Sequence, residues 1–108
     1  MVKIALNKSY GGFGLSWAAA QWLASKGVLS AVRYIKEYTE EDHYSFDPEL
    51  PRHDALLIEC IETLGEASSE EGDELVIETI KGNRYRIEEY DGLEWVVTPE
   101  QQVWIVVE

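Results

Sequence analysis

The sequence predicts an α+β fold: a mixed sheet with an N-terminal βαβ unit, a second amphipathic helix and a C-terminal antiparallel meander. Three observations carry that expectation. Strand-like alternation recurs at both ends of the chain, two segments are bounded by helix start and stop signals, and turn dipeptides punctuate the second half. A length of 108 residues with 45% hydrophobic side chains suits one globular domain over residues 1–108.

The elements follow in order. Val2-Lys3-Ile4-Ala5-Leu6-Asn7 alternates with period two and reads as a strand with one better-buried face. Lys8 to Leu15 holds Gly11, Gly12 and Gly14, a density suited to a loop with positive φ. Ser16 is the N-cap of a helix over Trp17 to Lys26, which Gly27 stops. Val32 to Tyr38 alternates again and is β-branched or aromatic, predicting a second, parallel strand reached by a right-handed crossover. Thr39 to Pro51, acidic and bracketed by Pro48 and Pro51, reads as an exposed excursion in which Tyr44 and Phe46 are compatible with an edge strand.

Asp54 caps the second helix, Ala55 to Leu64, whose Leu57, Ile58, Ile61 and Leu64 form one stripe before Gly65. Leu75 to Ile80 and Tyr85 to Tyr90 read as strands around a Gly82-Asn83 turn, and Asp91-Gly92 reverses the chain into Leu93 to Val97. After Pro99, Val103 to Val107 supplies a last strand.

Composition excludes several function classes. One cysteine makes neither an internal disulfide nor a Cys-based zinc site, which suits a reducing interior and makes the cytoplasm the expected compartment. No apolar run approaches the roughly 20 residues that cross a bilayer, so no membrane partner is expected. The net charge is −12, and its placement is uneven. Residues 1–36 carry Lys3, Lys8, Lys26, Arg33 and Lys36 and no acid, while all 21 acids lie from Glu37 onward. Such a field repels phosphates, so direct nucleic-acid binding is not expected and a protein with a basic surface is the better partner. An acidic chain is equally explained by solubility alone.

The first constellation is Asn7-Lys8-Ser9-Tyr10-Gly11-Gly12-Phe13-Gly14-Leu15-Ser16, a glycine-rich turn between a strand and a helix N-terminus. Loop N–H groups, Lys8 and Ser16 there suit an anionic small ligand, although neither a Walker nor a dinucleotide fingerprint is present. The competing reading has the glycines serve only the turn, with Tyr10 and Phe13 packing on a neighbour. Arg52-His53 beside the Asp54 cap is the second constellation, placed to flank the same cleft or to pair with nearby acids. The candidate ligand-binding set is therefore Asn7, Lys8, Tyr10, Gly11, Gly12, Phe13, Gly14, Ser16, Arg52 and His53.

The third constellation is the hairpin Tyr85 to Trp95, where alternation puts Tyr85, Ile87 and Glu89 on one face and Arg86, Glu88 and Tyr90 on the other. Glu88, Tyr90, Asp91 and Glu94 are its candidate partner-binding residues, with Asp91 and Glu94 expected to face solvent; ordinary cross-strand packing is the alternative. No catalytic set is assigned. Cys60 falls on the helix stripe as an inert thiol, and His43, His53 and the carboxylates show no metal-ligand spacing, so neither a metal nor a cofactor is expected. A homo-oligomer is compatible with the apolar surplus.

Ile4 to Lys8, Gly11 to Ser16, Arg52-His53-Asp54 and Ile87 to Trp95 together resemble a family of small phage and prophage proteins of unassigned function, over most of the chain. Relatives often carry Cys at the position of Ser9 and Pro at that of Ala55. The resemblance implies a phage accessory protein in the bacterial host cytoplasm, and by analogy a counter-defence inhibitor, anti-CRISPR or similar, that occludes a host protein with a basic surface without catalysis. The alternative is a binder that sequesters a nucleotide signal or other anion at the glycine loop.

Overall fold

The computed structural model describes residues 1–99 and Val107. Its elements are β1 (Val2–Asn7), α1 (Trp17–Ser25), α2 (Leu29–Glu37), α3 (Ala55–Leu64), a 3-10 turn (Gly65–Ser68), β2 (Leu75–Ile80), β3 (Arg86–Tyr90) and β4 (Leu93–Val97). The chain is α+β, with an N-terminal strand, then helices, then antiparallel strands. The last strand expected at 103–107 lies, save for Val107, outside the described residues.

Local signals account for the helix ends. Ser16 Oγ accepts from the Ala19 N–H, and Asp54 Oδ1 accepts from the Leu56 and Leu57 N–H groups, which satisfies orphan donors of α1 and α3. At the end of α1, the Gly27 N–H reaches the Ala24 carbonyl and the Val28 N–H reaches Leu23, with Gly27 at φ 84°. These paired bonds are a Schellman closure.

That closure leads into a helix, which overturns the βαβ unit; among the described residues both strand pairings are antiparallel, in place of the expected mixed sheet. Val32 to Tyr38 does not form a strand; Leu29–Glu37 is α2. Val28, Ala31 and Ile35, at helical spacing, pack into the helical core, with Ala31 fully buried. Arg33, Lys36 and Glu37 face solvent. The β-branched and aromatic character of the segment loses to the close packing that small Ala19, Ala20 and Ala31 allow in the core shared by α1 and α2. Among the described residues β1 pairs antiparallel with β2, from Val2 opposite Ile80 to Asn7 opposite Leu75.

The Gly82-Asn83 turn likewise closes no hairpin, because β2 is hydrogen-bonded to β1 whereas β3 pairs with β4, in sheets that are separate among the described residues. The Asp91-Gly92 reversal does form, with φ of 51° and 91° and Tyr90 opposite Leu93. Positive φ at both central residues matches the twist of the flanking strands. The 39–51 excursion is tied down at Phe46, which is buried and bridges Leu15 through reciprocal backbone bonds of 2.8 and 3.1 Å.

β1 is buried on both faces rather than one. Ala5 belongs to a core with Leu15, Leu23, Phe46, Leu57 and Ile61, while Ile4 and Leu6 join Ile80 and Val96 in a second cluster. The architecture is thus layered: helices, the β1–β2 ribbon, and the β3–β4 hairpin stacked on its far side.

Candidate functional site

Lys8 and Arg52 meet at Glu94, and the carboxylate that Arg52 grips belongs to the chain itself. Arg52 Nη1 and Nη2 donate to Glu94 Oε1 and Oε2 at 2.6 and 2.8 Å, a bidentate pair. The Asn7 backbone N–H donates to the same Oε1 at 2.9 Å, and Lys8 Nζ donates to the Glu94 backbone carbonyl at 2.8 Å. Arg52 Nη1 also reaches the Ala5 carbonyl at 3.2 Å, and its guanidinium carbon lies 3.7 Å from the Phe13 ring centroid. A cation stacked on an aromatic face while gripping a carboxylate is well compensated for its desolvation.

Glu94 is 6% exposed, which corrects its assignment as a solvent-facing residue for partners. The reason is strand parity. Along β4, Glu94 and Val96 turn toward β1, and Leu93, Trp95 and Val97 take the opposite face.

The loop glycines serve contact between backbones. Gly11 N–H donates to the Asp91 carbonyl at 3.0 Å, and a Cβ on Gly92 would sit 2.2 Å from the Gly12 nitrogen. Gly14 likewise has Ser45 Oγ where a Cβ would go, 1.8 Å away. Asn7, 1% exposed, links both sides: its Nδ2 donates to the Gly92 and Ser9 carbonyls at 2.7 Å each, and its Oδ1 accepts from Ser9 Oγ at 2.8 Å. Loop and hairpin turn therefore form one interlocked unit.

The other candidate residues divide between structural and exposed positions. Ser16 is buried as a cap and donates to the Ala67 carbonyl. His53 turns away from the loop, with Nδ1 2.6 Å from Tyr85 Oη. Burial pushes the Tyr85 phenol above its ordinary range, partly offset by the Arg52 charge. Tyr10 (65%) and Tyr90 (68%) are exposed, as is Asp91. Glu88 is half-exposed and pairs with Arg86, whose Nη2 lies 3.0 Å from Glu88 Oε1. Cys60 is buried, and desolvation pushes its thiol up to about 11.

One constellation escaped the sequence reading. The nearly buried His43 side chain bridges Tyr34 Oη, 2.6 Å from Nδ1, and the Glu70 carboxylate at Nε2, against the rings of Trp17 and Tyr34, the latter also packed on Phe46. Desolvation first, then the charges of Tyr38 and Glu70, raise the Tyr34 phenol. No local motif announces it, because Tyr34 joins His43 only once residues 29–37 are helical. Nearby, a cavity of about 600 Å³ between the 3-10 turn and β2 is lined by Glu66, Glu70, Glu71, Asp73 and Glu74. It repels anions and contains none of the loop donors.

No helix among the described residues is long and apolar enough to cross a membrane. No protein-family model matches the sequence, and no curated protein or solved structure matches it either.

Proposed function

We propose that the chain is a phage-encoded, non-enzymatic binding protein of the bacterial host cytoplasm, which occludes a host protein with a basic surface, as a counter-defence inhibitor does. The observation that carries this reading is the Glu94 carboxylate seated on Arg52 and the Asn7 N–H. It engages Arg52 internally and leaves Glu88, Tyr90 and Asp91 of the hairpin at least partly exposed, as Tyr10 is on the loop. The overall charge of −12 then favours encounter with a cationic partner.

Anion sequestration at the glycine loop is the lesser reading, since a ligand there must displace Glu94 from two charge-assisted bonds. Affinity capture from bacterial lysate at low and high salt tests the choice. The expected result is a host protein that is retained at low salt, released by high salt, and lost on Asp91→Lys or Tyr90→Ala. Capture indifferent to salt and to both substitutions overturns the proposal. A rise in melting temperature with nucleotides that Lys8→Ala abolishes transfers the assignment to the anion reading.

A further inference from the structure

The β3–β4 hairpin has an outer face built against ordinary patterning. Register places Arg86 opposite Val97, Glu88 opposite Trp95 and Tyr90 opposite Leu93, so these six side chains share the face turned away from β1. Trp95 is 39% and Tyr90 68% exposed, while the inner face spends a position on Glu94. A strand that turns its tryptophan outward and its carboxylate inward suits a face meant for contact.

The chemistry on that face matches one that the molecule uses on the other. Inside, a guanidinium lies on the Phe13 ring and grips Glu94. Outside, aromatic Trp95 stands directly across from carboxylate Glu88, with Tyr90 two residues along. Arg86 already rests on that carboxylate through Nε at 3.1 Å and Nη2 at 3.0 Å, a solvent-exposed pair of small net worth and readily exchanged. Asp91, exposed at the hairpin tip, adds negative charge at the end of this face.

We infer that the outer face of the β3–β4 hairpin docks an arginine-bearing segment of the partner protein, one guanidinium replacing Arg86 on Glu88 while stacking on Trp95 or Tyr90. The inference rests on the proposed function and names its contact surface. Arginine is favoured over lysine because a planar guanidinium both stacks and bonds a carboxylate bidentately.

Calorimetric titration of the full chain with an arginine-rich peptide, and with its lysine-substituted counterpart, tests it. The arginine peptide is expected to bind more tightly, Trp95→Ala and Glu88→Gln to weaken it about tenfold each, as losing a stacked or charge-assisted contact implies. Arg86→Ala is expected to tighten it several-fold, because the internal competitor is gone; a merely structural Arg86 would not give that gain. No binding by the parent chain, or equal affinity in all three variants, overturns the site. If the variants leave salt-dependent capture of a host protein intact, the site fails and the proposed function stands. If the peptide pattern holds but the parent captures no host protein, the function fails and the cationic docking face stands.

Discussion

Arg52 and Glu94 lie 42 positions apart and act as one group, with Glu94 almost wholly buried and Arg52 only partly exposed. Removing one partner leaves the other charged and poorly solvated, which costs about 3–5 kcal/mol in a buried pair. Arg52→Ala is therefore expected to lower unfolding free energy toward the lower end of that range, roughly 3 kcal/mol by urea denaturation, because Arg52 keeps some solvent. A change under about 1 kcal/mol would show the pair to be incidental. Cys60 offers a test by pH. Its thiol ionises near 9 when free and at about 11 when folded, so above pH 9 the unfolded chain loses a proton that the folded one keeps. Stability should fall between those values, and Cys60→Ala should make the fall shallower; the raised Tyr34 and Tyr85 phenols act in the same direction.

At the scale of elements, legibility followed the range of the signal. The α1 and α3 boundaries were readable because Ser16, Gly27, Asp54 and Gly65 act within a turn of their own positions. α2 was misread because seven residues from Val32 to Tyr38 fit period two as well as a helix. The deciding contact, Ala31 in the core shared with α1, lies one residue before that window. The Asp91-Gly92 reversal was readable, but its lock on the glycine loop was not, because nothing at residues 11–12 encodes a contact with residue 92. Gly92→Ala should cost about 2 kcal/mol or more, combining left-handed strain with a backbone clash. Gly72→Ala, at similar positive φ but with open space, should cost about 1 kcal/mol by thermal unfolding. Equal losses at the two sites would refute the close approach.

For the whole molecule, the stacking of layers sets the order of opening. The helical core is the larger cluster, whereas the hairpin is held by Ile4, Leu6, Ile80 and Val96 together with the Arg52–Glu94 bond. Hydrogen exchange should find β3–β4 amides opening before those of α3, and Arg52→Ala should widen that gap. Uniform protection across both regions would contradict a separable outer layer. The charge segregation read from the sequence survives as composition, but Lys8 of its cationic segment and Arg52 of the acidic remainder are both consumed inside the site. Pairing between residues so far apart depends on tertiary topology that no local pattern in this chain records.

The near-contact of Gly12 with Gly92 also governs where foreign sequence can be grafted. A tag or reporter loop spliced into the 91–92 reversal would prise apart the interlock despite the inviting look of a solvent-facing tip. The bend at Gly72, where the surroundings leave room, is the better point for such a splice.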